Sequence, residues 1–207
     1  MMIACARRHA VLLVAAALAA AGSARAQSDP AAAGAFIETL AARALALLGR
    51  TDLSLAERES NFRAILGDGF DLAFIGRFVL GRHWASIGDE QRAEYLDLFG
   101  EFVLRTYTGR FGGYAGEQFA VVGVRRAGDK DVVVASSVTR VAGAPVLVEW
   151  RVRVLDGRPR IVDVAVEGIS MAMNQRQEFD AIVAQHGVEG LIAMLRARVA
   201  KVTVAAG

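Results

Sequence analysis

Side chains that could carry out acid–base, nucleophilic or metal chemistry are few in this sequence. Of its three histidines, only His83 and His186 lie beyond the N-terminal segment. They are far apart and have no Asp or Glu pair at ligand spacing, so they predict no metal site. Ser170 is a weak candidate nucleophile, because the segment Gly168–Ala172 lacks the second glycine of a Gly-x-Ser-x-Gly elbow. Ser170 could equally cap a turn, and His83 could simply be a packed side chain.

Two carboxylates also share one face of a predicted strand. Asp163 and Glu167 are four residues apart, and such a pair could act as acid and base. Arg151 and Arg153 lie on the preceding predicted strand, and we expect them to form cross-strand ion pairs with these carboxylates. No glycine-rich loop lies between a strand and a helix to hold a phosphate. The residues therefore predict no catalytic site, no metal and no cofactor, and an enzyme is the minority hypothesis.

The charge distribution excludes one class of partner. Residues 1–26 contain three of the 24 basic residues and none of the 22 acidic ones, so the remainder has a formal charge near −1. A nucleic-acid-binding protein needs clustered lysines and arginines to displace phosphate counterions. We therefore exclude nucleic acid. The apolar content of 54% is enough to bury a large core in one domain.

Residues 1–26 have the pattern of a secretory signal peptide. Two arginines precede an apolar run from Ala10 to Ala21, and Ala24 and Ala26 occupy the positions that signal peptidase recognises. The run is too short to span a bilayer core of about 30 Å. We predict cleavage after Ala26, followed by a flexible mature N-terminus at residues 27–34. The only cysteine lies in this leader, so the predicted mature protein has no disulfide.

Hydrophobic periodicity predicts helices in the first half of the remaining chain and strands in the second. The helices are Phe36 to Gly49, Ser54 to Leu66, Leu72 to Leu80 and Asp89 to about Arg110, with Asn174 to Gln185 and Val188 to about Val202 at the end. The strands are about Gln118 to Arg126, Asp131 to Val141, Pro145 to Leu155 and Arg160 to Glu167. Short turns between them predict an antiparallel meander. We therefore expect one α+β domain at residues 35–207, a curved four-stranded sheet wrapped by about six helices.

Apolar residues exceed what one small sheet requires. The predicted helix at Leu72–Leu80 is apolar on all sides, and that at Asp89–Arg110 is apolar over more than one face. Two interpretations stay open: a large core, or an apolar cavity between the helices and the sheet.

Several segments in a fixed order resemble one protein family between about Phe36 and Arg198. They are Gly69–Asp71, Phe78–Trp84, Gln91–Arg92, Tyr107, Val148–Val152, Ile161–Val164, Glu167–Met171, Arg176, Phe179 and Gly187–Arg196. This pattern is similar to the periplasmic phospholipid-shuttle proteins of the MlaC type, also called toluene-tolerance proteins. The segment Leu80–Trp84 looks closest to their hopanoid-biosynthesis-associated, HpnM-like branch.

The resemblance implies a periplasmic protein with an apolar cavity for lipid tails and a head group at its mouth. It also implies partners: an inner-membrane lipid ABC transporter complex and an outer-membrane lipoprotein complex, which together maintain outer-membrane lipid asymmetry. The cargo is a phospholipid or, by the branch, a hopanoid.

On this basis we expect three sets of lipid-binding side chains, each with a simple core role as the alternative. They are Phe74, Phe78 and Trp84 on a mobile helical wall; Phe99, Phe102, Val103 and Tyr107 on the long helix; and Val148, Trp150, Val164 and Met171 on the sheet floor. Arg82, Arg151 and Arg176 are candidates for contact with a head group or a partner, with ordinary salt bridges as the alternative. An accessory enzyme using Ser170 or His83, and a non-catalytic adaptor, are the competing functions.

Overall fold

The computed structural model describes residues 29–108, 116–140 and 143–204, so the predicted signal peptide lies outside the described residues. The elements in chain order are α1 (Pro30–Leu48), α2 (Leu55–Gly69), α3 (Leu72–Leu80), a 3₁₀ segment (Gly81–Ser86), α4 (Asp89–Thr108), β1 (Gln118–Ala127), β2 (Asp131–Thr139), β3 (Val146–Leu155), β4 (Arg158–Val166), β5 (Ile169–Ser170) and α5 (Met171–Val204).

The sheet is an antiparallel meander in the order β1-β2-β3-β4-β5. The β3–β4 turn is tight because both Asp156 (φ 49°) and Gly157 (φ 75°) have positive φ, as a type I′ hairpin requires. The prediction of an α+β meander is confirmed, but the number of strands was one too low. The missed strand, β5, has only two residues, which is too short to give an alternating pattern.

Helix α1 begins earlier than its hydrophobic pattern suggested. Asp29 accepts hydrogen bonds from Ala31 N and Ala32 N, and Pro30 occupies the first helical position. Residues 30–34, expected to be flexible, therefore form the first turn of α1. By length and composition α1 is the described helix that could cross a membrane, but it packs on β1 and β2 and buries Ile37 and Leu40.

The predicted break between two C-terminal helices is present at Gly187, within the span that we number as one element, α5. Helix α5 starts at Met171, three residues earlier than predicted, and its backbone is non-helical at Gly187, where φ is 69° and ψ is 178°. This kink divides α5 into a first arm and a second arm. Both arms belong to the helical layer, which also contains α3 and α4.

Most of the buried apolar residues form two separate cores. The helical core lies among α3, α4 and α5 and is centred on Tyr95, Phe99 and Phe179, whose ring centres are 5.9–6.4 Å apart. The sheet core lies between the sheet and the helices α1 and α2, around Ile37, Val134 and other residues of these elements.

Candidate functional site

A cavity of about 790 Å³ separates the helical core from the sheet core. Every α-helix contributes to its wall, together with β2, β3, β4 and β5. The residues that line it are mostly apolar: Ile37, Leu40, Ala41, Ala44, Phe62, Ile65, Leu66, Phe70, Leu72, Ile75, Val79, Phe99, Phe102, Val103, Thr106, Tyr107, Val138, Val148, Trp150, Asp163, Val164, Val166, Glu167, Ile169, Met171, Ala172 and Gln175.

Helical and strand periodicity explain this wall. On α4 the lining residues recur at intervals of three and four positions from Phe99, at 102, 103, 106 and 107, so they form one stripe along the helix. Helix α1 presents a stripe of the same spacing from Ile37 to Ala44. On β3 the lining residues Val148 and Trp150 are two positions apart and share one face of the sheet.

The indole of Trp150 is fixed in the wall by a short hydrogen-bond chain. Its Nε1–H donates to Ser136 Oγ (2.9 Å), and the Ser136 hydroxyl donates to the carbonyl of Val148 (3.1 Å). Ser136 is fully buried. Because the indole N–H of Trp150 has a hydrogen-bond partner within the sheet, the Trp150 ring can face an apolar space without an unpaired donor.

Four residues of the wall are exposed. They are Thr106 and Tyr107 at the end of α4, and Glu167 and Ile169 around the β4–β5 turn. Ile169 is 60% exposed and Tyr107 is 40% exposed. The cavity therefore opens to solvent beside these residues, and we call them its mouth.

The polar groups of the wall are mainly acidic or neutral. Asp163 accepts hydrogen bonds from Ser170 Oγ (2.7 Å) and from the backbone N–H groups of Ala172 (3.2 Å) and Val164 (2.8 Å). Its carboxylate thereby supports the start of α5. Among the described lining residues there is no lysine or arginine, so the wall offers apolar contact rather than cationic recognition.

Eight of the eleven side chains that we expected to touch lipid line this cavity. They are Phe99, Phe102, Val103, Tyr107, Val148, Trp150, Val164 and Met171. The contribution of α1 and α2 to the wall, including Ile37, Leu40 and Phe62, was not predicted. The apolar stripe from Ile37 to Ala44 could have predicted the α1 residues. Half of its members are alanines, however, which give only a weak apolar pattern.

The other three expected side chains lie outside the wall, because α3 turns a different face to the cavity. Its lining residues are Leu72, Ile75 and Val79. Phe74 lies under the guanidinium group of Arg153, at 4.9 Å. Phe78 and Trp84 pack against the outside of the helical core.

The three candidate arginines for head-group contact are also absent from the wall. Arg151 lies next to Trp150 on β3 and so points to the opposite face of the sheet. Arg82 donates to Asp180, and Arg176 lies over the ring of Phe78. None of them is placed to meet a group inside the cavity.

The expected ion pairs of Asp163 and Glu167 with Arg151 and Arg153 are wrong. Both arginines bind Asp131 on β2, which lies directly opposite Arg153 in the strand register. Glu167 instead accepts a hydrogen bond from the backbone N–H of Leu147 (2.6 Å). Strand β3 lies between β2 and β4. Its arginines bind Asp131 on β2 and not the carboxylates on the β4 side that we predicted.

The candidate catalytic side chains are separately engaged in structural contacts. Ser170 Oγ donates to Asp163 and accepts from Met173 N (3.1 Å), so it caps the first turn of α5. His83 Nε2 lies 2.8 Å from Asp180 Oδ1 and joins the 3₁₀ segment to α5. Within the described residues, no group of three or more His, Cys, Asp or Glu side chains could hold a metal ion.

A second, more polar cavity of about 510 Å³ lies at the junction of α2, α3 and the β3–β4 turn. It shares Phe70 and Leu72 with the large cavity. Two arginines, Arg158 and Arg160, line it. Arg160 donates to the carbonyls of Gly67 and Asp68, both at 2.6 Å, and so joins β4 to the end of α2.

The chain matches a family model described as MlaC protein over residues 38–197. It is 24% identical over 130 residues to the intermembrane phospholipid transport system binding protein MlaC of Haemophilus influenzae, and it spans only 61% of that relative. Its structure is similar to that of a phospholipid-binding protein from Ralstonia solanacearum in complex with a phospholipid. The TM-score is 0.74 at 26% identity, over 83% of this chain and 98% of the other.

Proposed function

Because the chain belongs to the MlaC protein family, we propose that it is a soluble periplasmic carrier that holds lipid tails in the large cavity and shuttles them between inner- and outer-membrane complexes. One observation carries this proposal: a mostly apolar cavity of about 790 Å³ lies between the two cores and opens to solvent beside its exposed lining residues. The phospholipid transport named for the Haemophilus relative, and the phospholipid in the Ralstonia structure, support it.

The energetics of lipid transfer explain why such a wall suffices. A two-tailed lipid exposes about 30 methylene groups, which cost on the order of 20 kcal/mol in water at ~0.8 kcal/mol each. A carrier must hide most of these groups, and apolar contact provides that without directed chemistry. The absence of lysine and arginine among the described lining residues fits a ligand held by its tails, with the head group at the mouth beside Glu167 and Ile169.

Phospholipid is the cargo that the relatives favour. A hopanoid is the second candidate, and it rests on the segment Leu80–Trp84, which resembles the hopanoid-associated branch. In both cases we propose a carrier and not an enzyme, and the separate positions of Ser170, which caps α5, and His83, which joins the 3₁₀ segment to Asp180, support this. Transport between membrane complexes needs partner proteins of both membranes, as the resemblance implies.

The cargo is identified by purifying the protein from its native periplasm without detergent, extracting it with solvent and analysing the extract by mass spectrometry. We expect about one lipid per chain, and its class decides between phospholipid and hopanoid. A protein that carries no lipid in such a preparation contradicts the carrier function.

A matched pair of variants tests whether the lipid occupies this cavity. Val103→Glu places a charge in the wall, where burial without a partner is costly, and we expect at least a tenfold loss of bound lipid, on the order of 1.4 kcal/mol. Val122→Glu is the control, because Val122 is 58% exposed on β1 and is not among the lining residues. Equal lipid loading of both folded variants would place the lipid elsewhere.

A further inference from the structure

Charges of both signs line the second cavity. Its charged side chains are Asp71, Asp156, Arg158 and Arg160. Its lining includes none of the four mouth residues, although it shares Phe70 and Leu72 with the large cavity. Because Asp156 and Arg158 are exposed, a solute can enter the second cavity directly from solvent.

The two arginines of the second cavity lie on the same face of β4. Arg158 and Arg160 are two positions apart, and the strand register is regular between them. Arg160 donates to the carbonyls of Gly67 and Asp68 from one nitrogen, Nη1, which leaves its Nε and Nη2 without a partner in the described part of the chain. The side chain of Arg158 forms no hydrogen bond or ion pair with any residue that the structure describes. Guanidinium N–H groups of this kind match the geometry of phosphate oxygens.

The two carboxylates of the second cavity differ in how they are engaged. Asp71 caps α3, because its Oδ1 accepts a hydrogen bond from the backbone N–H of Phe74 (2.7 Å). Asp156, in the β3–β4 turn, has no side-chain partner among the described residues. It lies two positions from Arg158, so a free carboxylate and a free guanidinium group line one opening. Two arginines against two aspartates leave the lining with no net charge.

A lining with both signs of charge disfavours a ligand that carries only one sign. Inorganic phosphate is attracted by the arginines but repelled by Asp156, and a simple amine meets the reverse. A phosphate ester that also carries an ammonium group satisfies both. We propose that the second cavity binds an aminoalkyl phosphate, with its phosphate at Arg158 and Arg160 and its ammonium group at Asp156. This binding does not depend on the proposed carrier function, because a soluble ligand can occupy the second cavity alone.

Isothermal titration calorimetry of the purified protein tests this assignment, with phosphoethanolamine as the probe at low ionic strength. We expect saturable binding that weakens as salt is added, because exposed charges are screened. Inorganic phosphate lacks the ammonium group and should bind about two- to fivefold more weakly, as for the loss of one exposed charge pair. Absent binding of phosphoethanolamine, or tighter binding of inorganic phosphate, overturns the proposal.

Charge variants test the roles of the two exposed side chains. Arg158→Gln should weaken the binding of both probes by about two- to fivefold. Asp156→Asn should act in opposite directions, weakening phosphoethanolamine binding and strengthening inorganic phosphate binding. Arg140→Gln is the control, since Arg140 is also exposed, has no partner among the described residues and does not line the second cavity. Equal weakening by Arg140→Gln and Arg158→Gln would show that only net charge matters and would overturn the proposal.

A pair of glycine variants tests the location without a change of charge. Gly67 lies within α2 and lines the second cavity, and a Cβ atom added there would meet nothing within 4 Å. Gly67→Leu therefore fills part of the cavity without a clash and should weaken phosphoethanolamine binding at least about tenfold. Gly100→Leu adds the same side chain at an equally open position within α4, outside the second cavity, and should not weaken it. Full binding by a folded Gly67→Leu protein contradicts the assignment.

The same chemistry occurs in the head group of an aminophospholipid, and a short-tailed lipid with this head group distinguishes the two sources. If a lipid head group occupies the second cavity instead of the mouth, the lipid binds more tightly than phosphoethanolamine, and Arg158→Gln weakens both. If the ligand is a soluble ester, Arg158→Gln weakens phosphoethanolamine binding alone. Both results support the site. A lipid that binds while phosphoethanolamine does not, and that is insensitive to Arg158→Gln and Gly67→Leu, overturns the site and leaves the carrier function standing.

Discussion

At the scale of single residues, Ser136 determines how Trp150 sits in the cavity wall. Its hydroxyl accepts the indole N–H and donates to a backbone carbonyl inside the sheet. The burial of this hydroxyl could not be predicted from the strand pattern, because Ser136 and Ser137 are neighbouring residues of the same type. The structure distinguishes them, because Ser136 is fully buried and Ser137 is half-buried.

We predict that Ser136→Ala lowers the free energy of unfolding by about 1–3 kcal/mol, because it leaves the indole N–H without a partner in a buried site. Urea denaturation followed by tryptophan fluorescence measures the change. Ser137→Ala is the control and should cost less than about 0.5 kcal/mol. A Ser136→Ala protein as stable as the control would show that the hydrogen-bond chain contributes little.

Asp131 is a second residue whose environment matters for stability. Its side chain is 9% exposed and binds the guanidinium groups of Arg153 and Arg151. Burial by itself raises the pKa of this carboxyl, but the hydrogen bonds and charges of Arg153 and Arg151 outweigh burial and lower the pKa below its ordinary value. Since the folded pKa lies below the unfolded pKa of about 3.9, this group stabilises the fold above that pH, and the contribution is lost as the pH falls through the folded value.

We predict that Asp131→Asn costs about 1–3 kcal/mol at pH 7, because it leaves two arginines without their shared acid. The difference from the parent protein should shrink as the pH falls below about 4, which denaturation curves at several pH values will measure. Glu149→Gln removes a more exposed partner of Arg125 and should cost less than about 1 kcal/mol. A pH-independent difference would contradict the role of ionised Asp131.

At the scale of the elements, the kink of α5 depends on one glycine. Gly187 has φ 69° and ψ 178°, a combination that side chains with a Cβ atom rarely adopt. The kink allows the second arm to turn back along α4, where Arg196 binds Glu94. The geometry of the helical layer therefore depends on a single backbone conformation.

We predict that Gly187→Ala lowers the free energy of unfolding by about 1–3 kcal/mol through backbone strain. Gly100→Ala is the matched control: Gly100 lies inside α4 and its added methyl group would meet nothing within 4 Å. That change should stabilise the protein by about 0.5–1 kcal/mol, because alanine favours a helix. Thermal and urea unfolding distinguish the opposite signs, and two changes of the same sign would refute the prediction.

Long periodic elements could be predicted from the sequence, and short or interrupted ones could not. Helix α4 and the meander were predicted because twenty residues of helical spacing and repeated alternation leave little choice. The start of α1 was missed because its first turn consists of small residues, and there the Asp29 cap determines the boundary. Strand β5 was missed because two residues carry no period.

At the scale of the whole molecule, the stripes that line the cavity could be predicted only where charged residues mark the outer side of an element. This holds for α4 and β3. Helix α3 is apolar all round, so its sequence could not show that Ile75 faces the cavity while Phe74 and Phe78 face elsewhere. Pairing across the sheet, such as Asp131 with Arg153, depends on strand register, which single strands do not reveal.

The separation of the two cores has a consequence for cooperativity. Two hydrophobic layers that meet across an open space are less tightly coupled than layers that interdigitate, so each can lose its order as a separate unfolding unit. An apolar molecule that fills the space contacts both layers and favours the state in which both are ordered. On the proposed function, the cargo therefore completes the folded interior of its carrier, and release at a membrane returns the protein to a looser, more locally unfolding state.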